Sequence, residues 1–485
     1  MTQANGSPSA TDIDRQFQKA LEHFQGNRLA EAAALLDQLA PHCDMRAEFF
    51  RLRGLIALRN RDAAAALDAL QRAARLAPEA AIHQVDLAEL YKASGQAAEA
   101  IRHYQQALRL EPKAVLVHIA LAGVLAATGQ ARAAVNELDQ AVATGNNLTV
   151  LLSAALAYRD LKQADAAIRC LRRALALRPD DLNIRALLRD MLTSQIRPWH
   201  FRMMNDAARN RAYDAAIRRA VGPDTQVLEI GTGSGLLAMM AARAGARRVT
   251  TCEQVEAIAE TAAEIVRRNG YAERVRVVPK RSTQLSVGLD LPERADLLIS
   301  EVLSDKLLGE QVLGSTAHAR QHLLKPDAAV IPREIAAVVR LVGGAFLGEA
   351  ASVGTVDGFD LSPFNVFAPS SISISMESGL IESYSDDVEV FRFDLRRDGH
   401  RPEERRLQLT AQRDGSVVGV LQWLRLQLDD VASFENRPSE QLAPSAWRQV
   451  LYPFPTPLPV RAGETVNLWA KHDLVNLAFA AVTPS

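Results

Sequence analysis

The sequence has few of the features that mark secreted, metal-binding or membrane-spanning proteins. Its 485 residues include only three cysteines, Cys43, Cys170 and Cys252, which lie far apart and form no CxxC pair. We therefore expect neither a disulfide framework nor a metal site, and the composition favours the reducing cytoplasm. No apolar run reaches the roughly 18 residues that cross a bilayer, and the polar first residues lack the basic-then-apolar layout of a secretory signal.

An excess of either charge is also missing. The chain has 56 basic and 57 acidic residues, which gives a formal net charge of −1. Proteins that bind nucleic acid or anionic membranes usually carry a positive field, so neither partner is predicted. A chain of this length predicts roughly two to four domains.

The first feature that is present is an internal repeat between Asp14 and Asp190. Turns between paired helices recur with spacings of 35, 34, 34 and 33 residues, at Gly26, Arg61, Gly95, Gly129 and Lys162. The two clearest copies end at Pro78 and Pro112, which are 34 residues apart (112 − 78). This period, with small residues at the helix contacts and proline after the second helix, resembles the tetratricopeptide repeat.

Such a repeat predicts an all-α solenoid over residues 14–190, after a disordered segment at residues 1–13. Each helical pair hides its apolar face only by stacking on a neighbour, so about five copies would form one curved unit. A unit of this kind offers a concave surface to a protein or peptide. A spacer or a dimerisation element is the alternative, because repeat architecture alone does not fix function.

Residues 191–332 change to alternating strands and helices. Five β-rich runs are expected to form a mostly parallel sheet, at Gln226–Ile230, Arg248–Cys252, Val275–Val278, Ala295–Ile299 and Ala328–Ile331. The helical stretches between them predict helices on both faces of the sheet. Ligands of such sheets bind outside the carboxyl ends of the strands.

Residues 333–485 are rich in strand-forming patterns. Val388–Leu395 alternates between apolar and polar residues, and Asp414-Gly415 is a hairpin signal between two strands. Further strands are expected at Val466–Ala470 and Leu474–Val482. Together these runs predict a C-terminal β-barrel.

A glycine-rich loop follows the first predicted strand, in the segment VLEIGTGSG at Val227–Gly235. Its glycines, Gly231, Gly233 and Gly235, are spaced GxGxG, whereas a dinucleotide-binding loop would need a glycine at position 236, which is leucine. The spacing suits S-adenosylmethionine, which carries no phosphate. Glu253, at the end of the second strand, stands where a carboxylate takes ribose hydroxyls in such sheets. A solvated surface acid is the alternative for Glu253.

Two glutamates nine positions apart (310 − 301), Glu301 and Glu310, follow the fourth predicted strand in the run SEVLSDKLLGE. Two carboxylates at the exit of a strand grip a planar guanidinium through parallel N–H···O bonds, a geometry that suits arginine far better than lysine. With the glycine loop, they predict an enzyme that acts on arginine side chains. Two solvated surface carboxylates are the alternative interpretation.

Six segments, taken in order, resemble the protein arginine methyltransferase family. They are PWHFRMMNDAARNRAY at 198–213, VLEIGTGSG at 227–235, Glu253, KRST at 280–283, SEVLSDKLLGE at 300–310 and LLKPDAAVIP at 323–332. The resemblance covers about residues 196–485 and is strongest to the members that place tetratricopeptide repeats before the catalytic core. It implies a Rossmann-like α/β domain with N-terminal lid helices, S-adenosylmethionine as methyl donor, an arginine-bearing protein substrate and a homodimer.

The resemblance also implies roles for single residues. Glu301 and Glu310 would clamp the substrate guanidinium. The residues that would hold the cofactor are Met203, Arg209 on its carboxylate, Glu229, Gly231, Gly233, Gly235, Glu253 on its ribose, and Ser282 and Thr283 near its adenine. Trp447 and Asp305 would contact the substrate, although we favour a solvated acid for Asp305, and a plain core residue is the alternative for Met203.

One position departs from the family pattern. The family's Thr-His-Trp-like loop pairs its histidine with an acid on the lid helix, whereas here the stretch is Ser445-Ala446-Trp447 and the acid is Asp206. Because Ala446 has no imidazole, we expect the lid to dock differently, with an effect on substrate access and rate.

Two other functions stay open. One is methyl transfer to another acceptor, such as a ribosomal protein or a small molecule; many such enzymes show an Asn/Asp-Pro-Pro-aromatic run where this chain has Ser300-Glu301-Val302-Leu303. The other is a repeat-bearing scaffold with a weakly active catalytic domain. The glycine loop and both glutamates argue against the scaffold, and Ala446 argues for it.

Overall fold

A computed structural model describes residues 9–43, 45–197, 199–374, 381–438, 445 and 447–482. The chain divides into two compact units, of which the first ends at Ser194 and the second begins at Gln195. No helix in these residues is both long and apolar enough to cross a membrane. The first eight residues lie outside the described chain, and the first helix already begins at Ala10, four residues before the predicted start of the repeats.

The first unit consists of successive helices that pack as pairs, as the repeat predicts. Its described helices are α1 (Ala10–Gln25), α2 (Leu29–Leu39), α3 (Ala47–Arg59), α4 (Ala63–Leu76), α5 (Ala81–Ala93), α6 (Ala97–Leu110), α7 (Val115–Ala127), α8 (Ala131–Thr144), α9 (Leu148–Asp160), α10 (Ala164–Leu177) and α11 (Leu182–Ser194). Small residues allow the close approach within a pair. A Cβ added to Gly54 in α3 would lie 2.7 Å from Cγ of Leu70 in α4.

A left-handed residue stands in the turn between the two helices of each pair. The φ angles are 59° at Asn27, 63° at Arg61, 71° at Gly95, 78° at Gly129 and 60° at Lys162. All five predicted turn positions lie in these turns, and in the first turn the left-handed residue is Asn27, next to the predicted Gly26. Asparagine tolerates positive φ better than most residues that carry a Cβ.

The second unit begins with two helices, α12 (Trp199–Asn205) and α13 (Ala207–Ala220), at the place of the predicted lid. A parallel sheet follows, in the order β3-β2-β1-β4-β5. Its strands are β1 (Gln226–Ile230), β2 (Arg248–Cys252), β3 (Val275–Val278), β4 (Ala295–Ser300) and β5 (Leu324–Ile331), and its helices are α14 (Leu236–Arg243), α15 (Glu256–Arg268) and α16 (Val312–His322). All five predicted strands are confirmed, although β5 begins four residues earlier than predicted (328 − 324).

The strand order brings two loops together. Strand β1 lies between β2 and β4, so the order reverses at β1, and ligands of such sheets bind at this reversal. At the carboxyl end, Ile230 of β1 pairs with Cys252 of β2 on one side and with Ser300 of β4 on the other. The glycine loop after Ile230 and the glutamate-bearing loop after Ser300 therefore leave the sheet side by side.

An antiparallel β region follows Pro332. One sheet contains β6 (Glu334–Gly343), β9 (Ile372–Ile374), β10 (Glu382–Ser383), β11 (Val388–Asp394), β13 (Gly415–Gln427), β14 (Ser433–Glu435) and β15 (Gln449–Val460). A second sheet contains β12 (Glu403–Thr410), β16 (Thr465–His472) and β17 (Leu477–Ala481). A short ribbon of β7 (Thr355–Val356) and β8 (Phe359–Asp360) follows helix α17 (Ala345–Ala351). In the described part of the chain these are separate sheets, and closure into a barrel stays a prediction.

The predicted hairpin at Asp414-Gly415 is wrong. Strands β12 and β13 flank this turn, but β12 pairs with β16, and β13 pairs with β6 and β15. The N–H of Ala411 donates to the carbonyl of Glu464, and the N–H of Gly463 donates to the carbonyl of Ala411. These bonds keep the end of β12 on the β16 side, so the turn connects two sheets.

Candidate active site

The glycine loop between β1 and α14 has a backbone conformation that glycine adopts readily. The φ angle is 88° at Gly231, 51° at Gly233 and 79° at Gly235. The N–H of Gly231 donates to the carbonyl of Cys252 at 3.1 Å, which ties the loop to the end of β2. A Cβ at Gly231 would lie 2.8 Å from Cγ1 of Val302, so the loop after β4 covers this glycine closely.

Replacing Gly231 with alanine should therefore destabilise the fold more than the same change at Gly233. Both positions have positive φ, but no atom lies within 4 Å of a Cβ added to Gly233. We expect Gly233→Ala to lower the free energy of unfolding by about 1 kcal/mol from backbone strain alone. Gly231→Ala should lower it by about 2–3 kcal/mol, since the clash with Val302 is added. Urea denaturation measures both losses, and equal losses would contradict the close contact.

Glu253 follows β2 and is held by backbone N–H groups. Its Oε2 accepts a hydrogen bond from Gly233 at 3.3 Å, and its Oε1 accepts one from Val255 at 3.1 Å. The residue is half-buried. Its carboxylate therefore lies against the glycine loop and is not a freely solvated surface acid.

Glu229 lies inside β1 rather than in the loop. Its side chain is 1% exposed, and Oγ1 of Thr251 donates to Oε2 of Glu229 at 2.6 Å. Burial raises the pKa of Glu229 to about 8, and the bond from Thr251 opposes this shift. The structure thus places Glu229 beneath the glycine loop, bonded to the neighbouring strand.

The loop that follows β4 is anchored by its leucines. Leu303, Leu307 and Leu308 are at most 1% exposed, so the apolar residues of SEVLSDKLLGE belong to the core. Within the loop, Oγ of Ser304 accepts a hydrogen bond from the N–H of Gly309 at 3.2 Å. A Cβ at Gly309 would lie 2.6 Å from that oxygen, which explains the glycine beside the second glutamate.

Arg209 of α13 pairs with Glu301. The distance from Nη2 of Arg209 to Oε2 of Glu301 is 2.9 Å, and the two side chains are 3% and 6% exposed. The guanidinium also lies 5.1 Å from the ring centre of Tyr213 and 6.0 Å from that of Trp447. In the described residues its Nε has no hydrogen-bond partner. Arg209 thus holds the first glutamate and keeps one N–H available for another acceptor.

The carboxyl groups of Glu301, Glu310 and Glu253 act on one another. Burial raises the pKa of Glu301 to about 7; the charge of Arg209 opposes this shift, and the charge of Glu310 adds to it. Glu310 has an exposed side chain at the rim, where partial burial and the charge of Glu253 raise its pKa to about 6. Glu253 directly follows β2 and Glu301 directly follows β4, and these two strands flank β1 and its glycine loop. Glu253 and Glu301 therefore lie at the same edge of the sheet as the loop.

Trp447 and Asp305 join the antiparallel β region to the loop after β4. The indole N–H of Trp447 donates to the carbonyl of Leu303 at 3.0 Å. Asp305 accepts hydrogen bonds from the N–H of Arg448 at 2.9 Å and from Oγ of Ser373 at 3.1 Å. Asp305 is thus a half-buried connection between two segments, and the solvated alternative is wrong.

Ser445 makes a contact with Asp206 that was not predicted from the sequence. Its Oγ donates to Oδ2 of Asp206 at 3.1 Å, at the start of α13. Serine is common in loops, so a serine next to Ala446 did not indicate in the sequence that its hydroxyl contacts the lid. Ala446 lies outside the described residues, and the predicted effect of its missing imidazole stays a prediction.

The remaining residues that were predicted to bind the cofactor differ in how far they are buried. Ser282 and Thr283 lie in a 3₁₀ helix, Ser282–Gln284, shortly after β3. Ser282 is buried and Thr283 is exposed, so only Ser282 faces inward. Met203 is half-buried on α12, and its carbonyl accepts a hydrogen bond from the N–H of Asp206 at 3.3 Å.

The residues around the glycine loop fit S-adenosylmethionine. The Nε of Arg209 is buried without a partner in the described chain and suits a carboxylate. The glycines allow close approach, and the carboxylate of Glu253 beside the loop suits the hydroxyls of a ribose. Among the described residues, no group of three or more histidine, cysteine, aspartate or glutamate side chains could hold a metal ion. The fold and the site thus define a nucleoside-binding protein of the α/β class.

Comparisons with known proteins narrow this class. A family model described as ribosomal protein L11 methyltransferase matches residues 214–331, and two tetratricopeptide repeat models match residues 92–157 and 148–181. An arginine N(omega)-methyltransferase of Streptomyces achromogenes subsp. streptozoticus is 37% identical over 296 residues, which cover 61% of this chain and 81% of that protein. Protein arginine N-methyltransferase 7 of Drosophila grimshawi is 33% identical, over 58% of this chain and 46% of that protein.

The chain is also similar to a solved structure, the Trypanosoma brucei PRMT1 enzyme-prozyme heterotetrameric complex with AdoHcy. The identity is 25%, the TM-score is 0.50, and the match covers 56% of this chain and 86% of that chain. The chain belongs to the protein arginine N-methyltransferase family and carries tetratricopeptide repeats. The predicted family is confirmed, as is the predicted order of a helical repeat region, an α/β methyltransferase domain and an antiparallel β region. The chain spans less than half the length of the Drosophila relative.

Proposed function

We propose that this chain transfers the methyl group of S-adenosylmethionine to a guanidinium nitrogen of arginine in a protein substrate. The enzyme class and the methyl donor follow from the family, and the proposal adds the protein substrate and the clamp formed by Glu301 and Glu310. The observation that supports it most is the position of Glu301 and Glu253, which directly follow the two strands on either side of β1 and so lie at the same sheet edge as the glycine loop. Two facing carboxylates match the N–H edges of a planar guanidinium.

The clamp would overcome the low nucleophilicity of arginine. A guanidinium has delocalised lone pairs and a pKa above about 12. When bound, S-adenosylmethionine supplies an electrophilic methyl group on a sulfonium. Glu301 and Glu310 would hold positive charge on two guanidinium nitrogens and leave the third free to attack. Positioning and charge complementarity in a water-poor site then supply most of the rate gain.

The two glutamates would have different roles. Arg209 fixes one oxygen of Glu301 at 2.9 Å, so Glu301 is suited to orienting the substrate. Glu310 is exposed at the rim and can exchange protons with solvent. The attacking nitrogen becomes acidic as it gains the methyl group, and Glu310 would accept its proton late in the reaction and pass it to water.

Radiolabelled methyl transfer by the full chain tests the proposal. The acceptors are an arginine-rich peptide, the same peptide with every arginine replaced by lysine, free L-arginine and purified ribosomal proteins. We expect label in the arginine peptide, recovered as methylarginine after acid hydrolysis. Label in free arginine alone would contradict a protein substrate, and label in the lysine peptide or only in ribosomal lysine would contradict the clamp.

Substrate affinity should rise with pH between about 6 and 8. A cationic guanidinium needs both clamp carboxylates ionised, while the pKa is raised to about 7 at Glu301 and to about 6 at Glu310. Binding must therefore release protons below pH 7. We expect the peptide KM to rise about tenfold from pH 8 to pH 6, as measured from initial rates.

Stability gives the control for this pH effect. Both pKa values lie above the ordinary glutamate value, so protonation stabilises the unliganded fold. This contribution is present below about pH 4.5 and is lost as the pH rises through 6 and 7. Substrate affinity and this part of the stability should therefore move in opposite directions with pH. A substrate affinity that falls together with the thermal unfolding temperature as the pH rises would contradict ionisation of the clamp.

The helical unit would recruit the protein substrate or another partner. Ile82, Leu116 and Leu182 stand at the starts of α5, α7 and α11 and are 44%, 64% and 73% exposed. Residues 114–117 and 147–150 line a cleft of about 690 Å³ between α7 and α9. Exposed apolar side chains, of which Leu116 lines the cleft, favour a binding surface over a spacer. Equal transfer to a whole-protein substrate and to its isolated arginine peptide would contradict recruitment.

We also propose that the chain forms a homodimer. Phe359 lies in β8, and Phe364 and Phe367 lie in the 3₁₀ helix that follows it. Their exposed fractions are 70%, 67% and 74%. An exposed aromatic cluster of this kind usually marks a protein contact. Light scattering tests the proposal, because a particle mass near the 52.9 kDa of one chain would contradict it.

Two alternatives remain, a different methyl acceptor and a repeat-bearing scaffold. The match of residues 214–331 to a ribosomal protein L11 methyltransferase model supports another acceptor, but the run after β4 is Ser300-Glu301-Val302-Leu303. A scaffold whose cofactor pocket is dead should release no heat on titration with S-adenosylhomocysteine. All three cysteines are buried thiols, which supports the proposed cytoplasmic location.

A further inference from the structure

One hydrogen bond crosses 239 positions of the chain to reach the start of the lid. Oγ of Ser445 donates to Oδ2 of Asp206 at 3.1 Å, and Asp206 is 8% exposed. The N–H of Trp447 donates to the same Oγ at 3.3 Å. Because the hydroxyl oxygen accepts from Trp447, its own proton is directed at the carboxylate, and a bond to a buried charge is stronger than one between neutral groups.

The other oxygen of Asp206 fixes the first turn of α13. Oδ1 accepts a hydrogen bond from the N–H of Arg209 at 3.0 Å, which caps the helix. From that first turn, the side chain of Arg209 reaches Glu301 at 2.9 Å. One carboxylate therefore links Ser445 to the helix turn that presents Arg209 to the first clamp glutamate.

Trp447 holds the opposite side of the same ion pair. Its indole N–H donates to the carbonyl of Leu303, two residues after Glu301, and its ring lies 6.0 Å from the guanidinium of Arg209. The segment that begins at Ser445 thus contacts both the lid helix and the glutamate-bearing loop. A shift of this segment would move Arg209 and Glu301 relative to each other.

We infer that Ser445 is a positioning residue that anchors lid helix α13 through Asp206 and thereby sets Arg209 against Glu301. In the family pattern a histidine carries the corresponding contact with the lid acid, and this chain has alanine at that position. The serine hydroxyl, one residue earlier, takes over the contact. The inference rests on the proposed function, because its consequence is the placement of the clamp.

Hydrogen exchange of the unliganded full chain tests the anchor without any substrate. Ser445→Ala removes the donor, Ser445→Thr keeps a hydroxyl, and Ser433→Ala removes an exposed serine elsewhere in the β region. We expect amide exchange in the first turns of α13 to become about tenfold faster in Ser445→Ala. Exchange in the other two variants should stay within about twofold of the wild type. Unchanged exchange in Ser445→Ala would overturn the inference.

Calorimetry with S-adenosylhomocysteine gives a second readout. If Ser445 places Arg209, the Ser445→Ala affinity should fall about tenfold and the Ser445→Thr variant should restore it. An affinity equal to that of the wild type would overturn the inference and leave the proposed function untouched. Conversely, a wild type that fails to methylate arginine would overturn the function, while the exchange of α13 still decides the role of Ser445.

Discussion

Glutamine in place of Glu310 should leave cofactor binding intact and lower methyl transfer by about a thousandfold. The amide keeps the shape of the side chain but removes both the negative charge that localises the guanidinium and the base that takes its proton. Loss of one such group commonly costs about two to four orders of magnitude in rate. Single-turnover transfer to an arginine peptide measures the rate, and calorimetry with S-adenosylhomocysteine measures the cofactor affinity.

Stability separates this loss from unfolding. Glu310 lies near the charges of Glu253 and Asp305, and its carboxyl pKa is raised to about 6. Removing its charge should therefore leave the fold equally stable or slightly more stable above pH 6. Glu273→Gln, which changes an exposed acid on another loop, is the matched control and should keep full activity. Wild-type turnover in Glu310→Gln would remove Glu310 from the mechanism.

Methionine in place of Arg209 should have the largest effect on stability. The change leaves the Glu301 carboxylate buried without its cation, and breaking a buried pair in this way costs about 3–5 kcal/mol. Loss of Arg209 raises the pKa of Glu301 further above 7, so a larger part of the cost appears as the pH increases. Chemical denaturation should show a larger loss at pH 8.5 than at pH 6.

A double variant checks the cause of this loss. In Arg209→Met with Glu301→Gln, no buried charge is left without a partner, so much of the stability should return. Cofactor affinity should stay low in both variants, since Arg209 is the candidate ligand of the cofactor carboxylate. A double variant that is no more stable than Arg209→Met alone would show that the destabilisation comes from lost packing.

Local patterns predicted the elements well. The turn residues Arg61, Gly95, Gly129 and Lys162 could be read from a 34-residue period because each repeat folds mainly on itself and its neighbour. The five parallel strands could be read because buried strands are short continuous apolar runs bounded by loop residues. Both signals lie within a few tens of residues, which is the range over which sequence patterns are reliable.

Contacts between distant segments were beyond such patterns. Nothing near Arg209 in the sequence shows that its guanidinium reaches Glu301, or that Ser445 reaches Asp206. The hairpin at Asp414-Gly415 failed for the same reason, because the pairing of β12 with β16 competes with the local turn. The candidate site was therefore predicted as a set of residues, and its connections were not.

The close approach of Val302 to Gly231 connects the glycine loop with the glutamate-bearing loop. Under the proposed function the glycine loop holds the methyl donor and Glu301, next to Val302, holds the acceptor, so a bulkier or smaller side chain at position 302 would affect both. Redesign for a larger methyl-donor analogue should for this reason begin at Val302 and should be expected to alter the choice of acceptor in the same step.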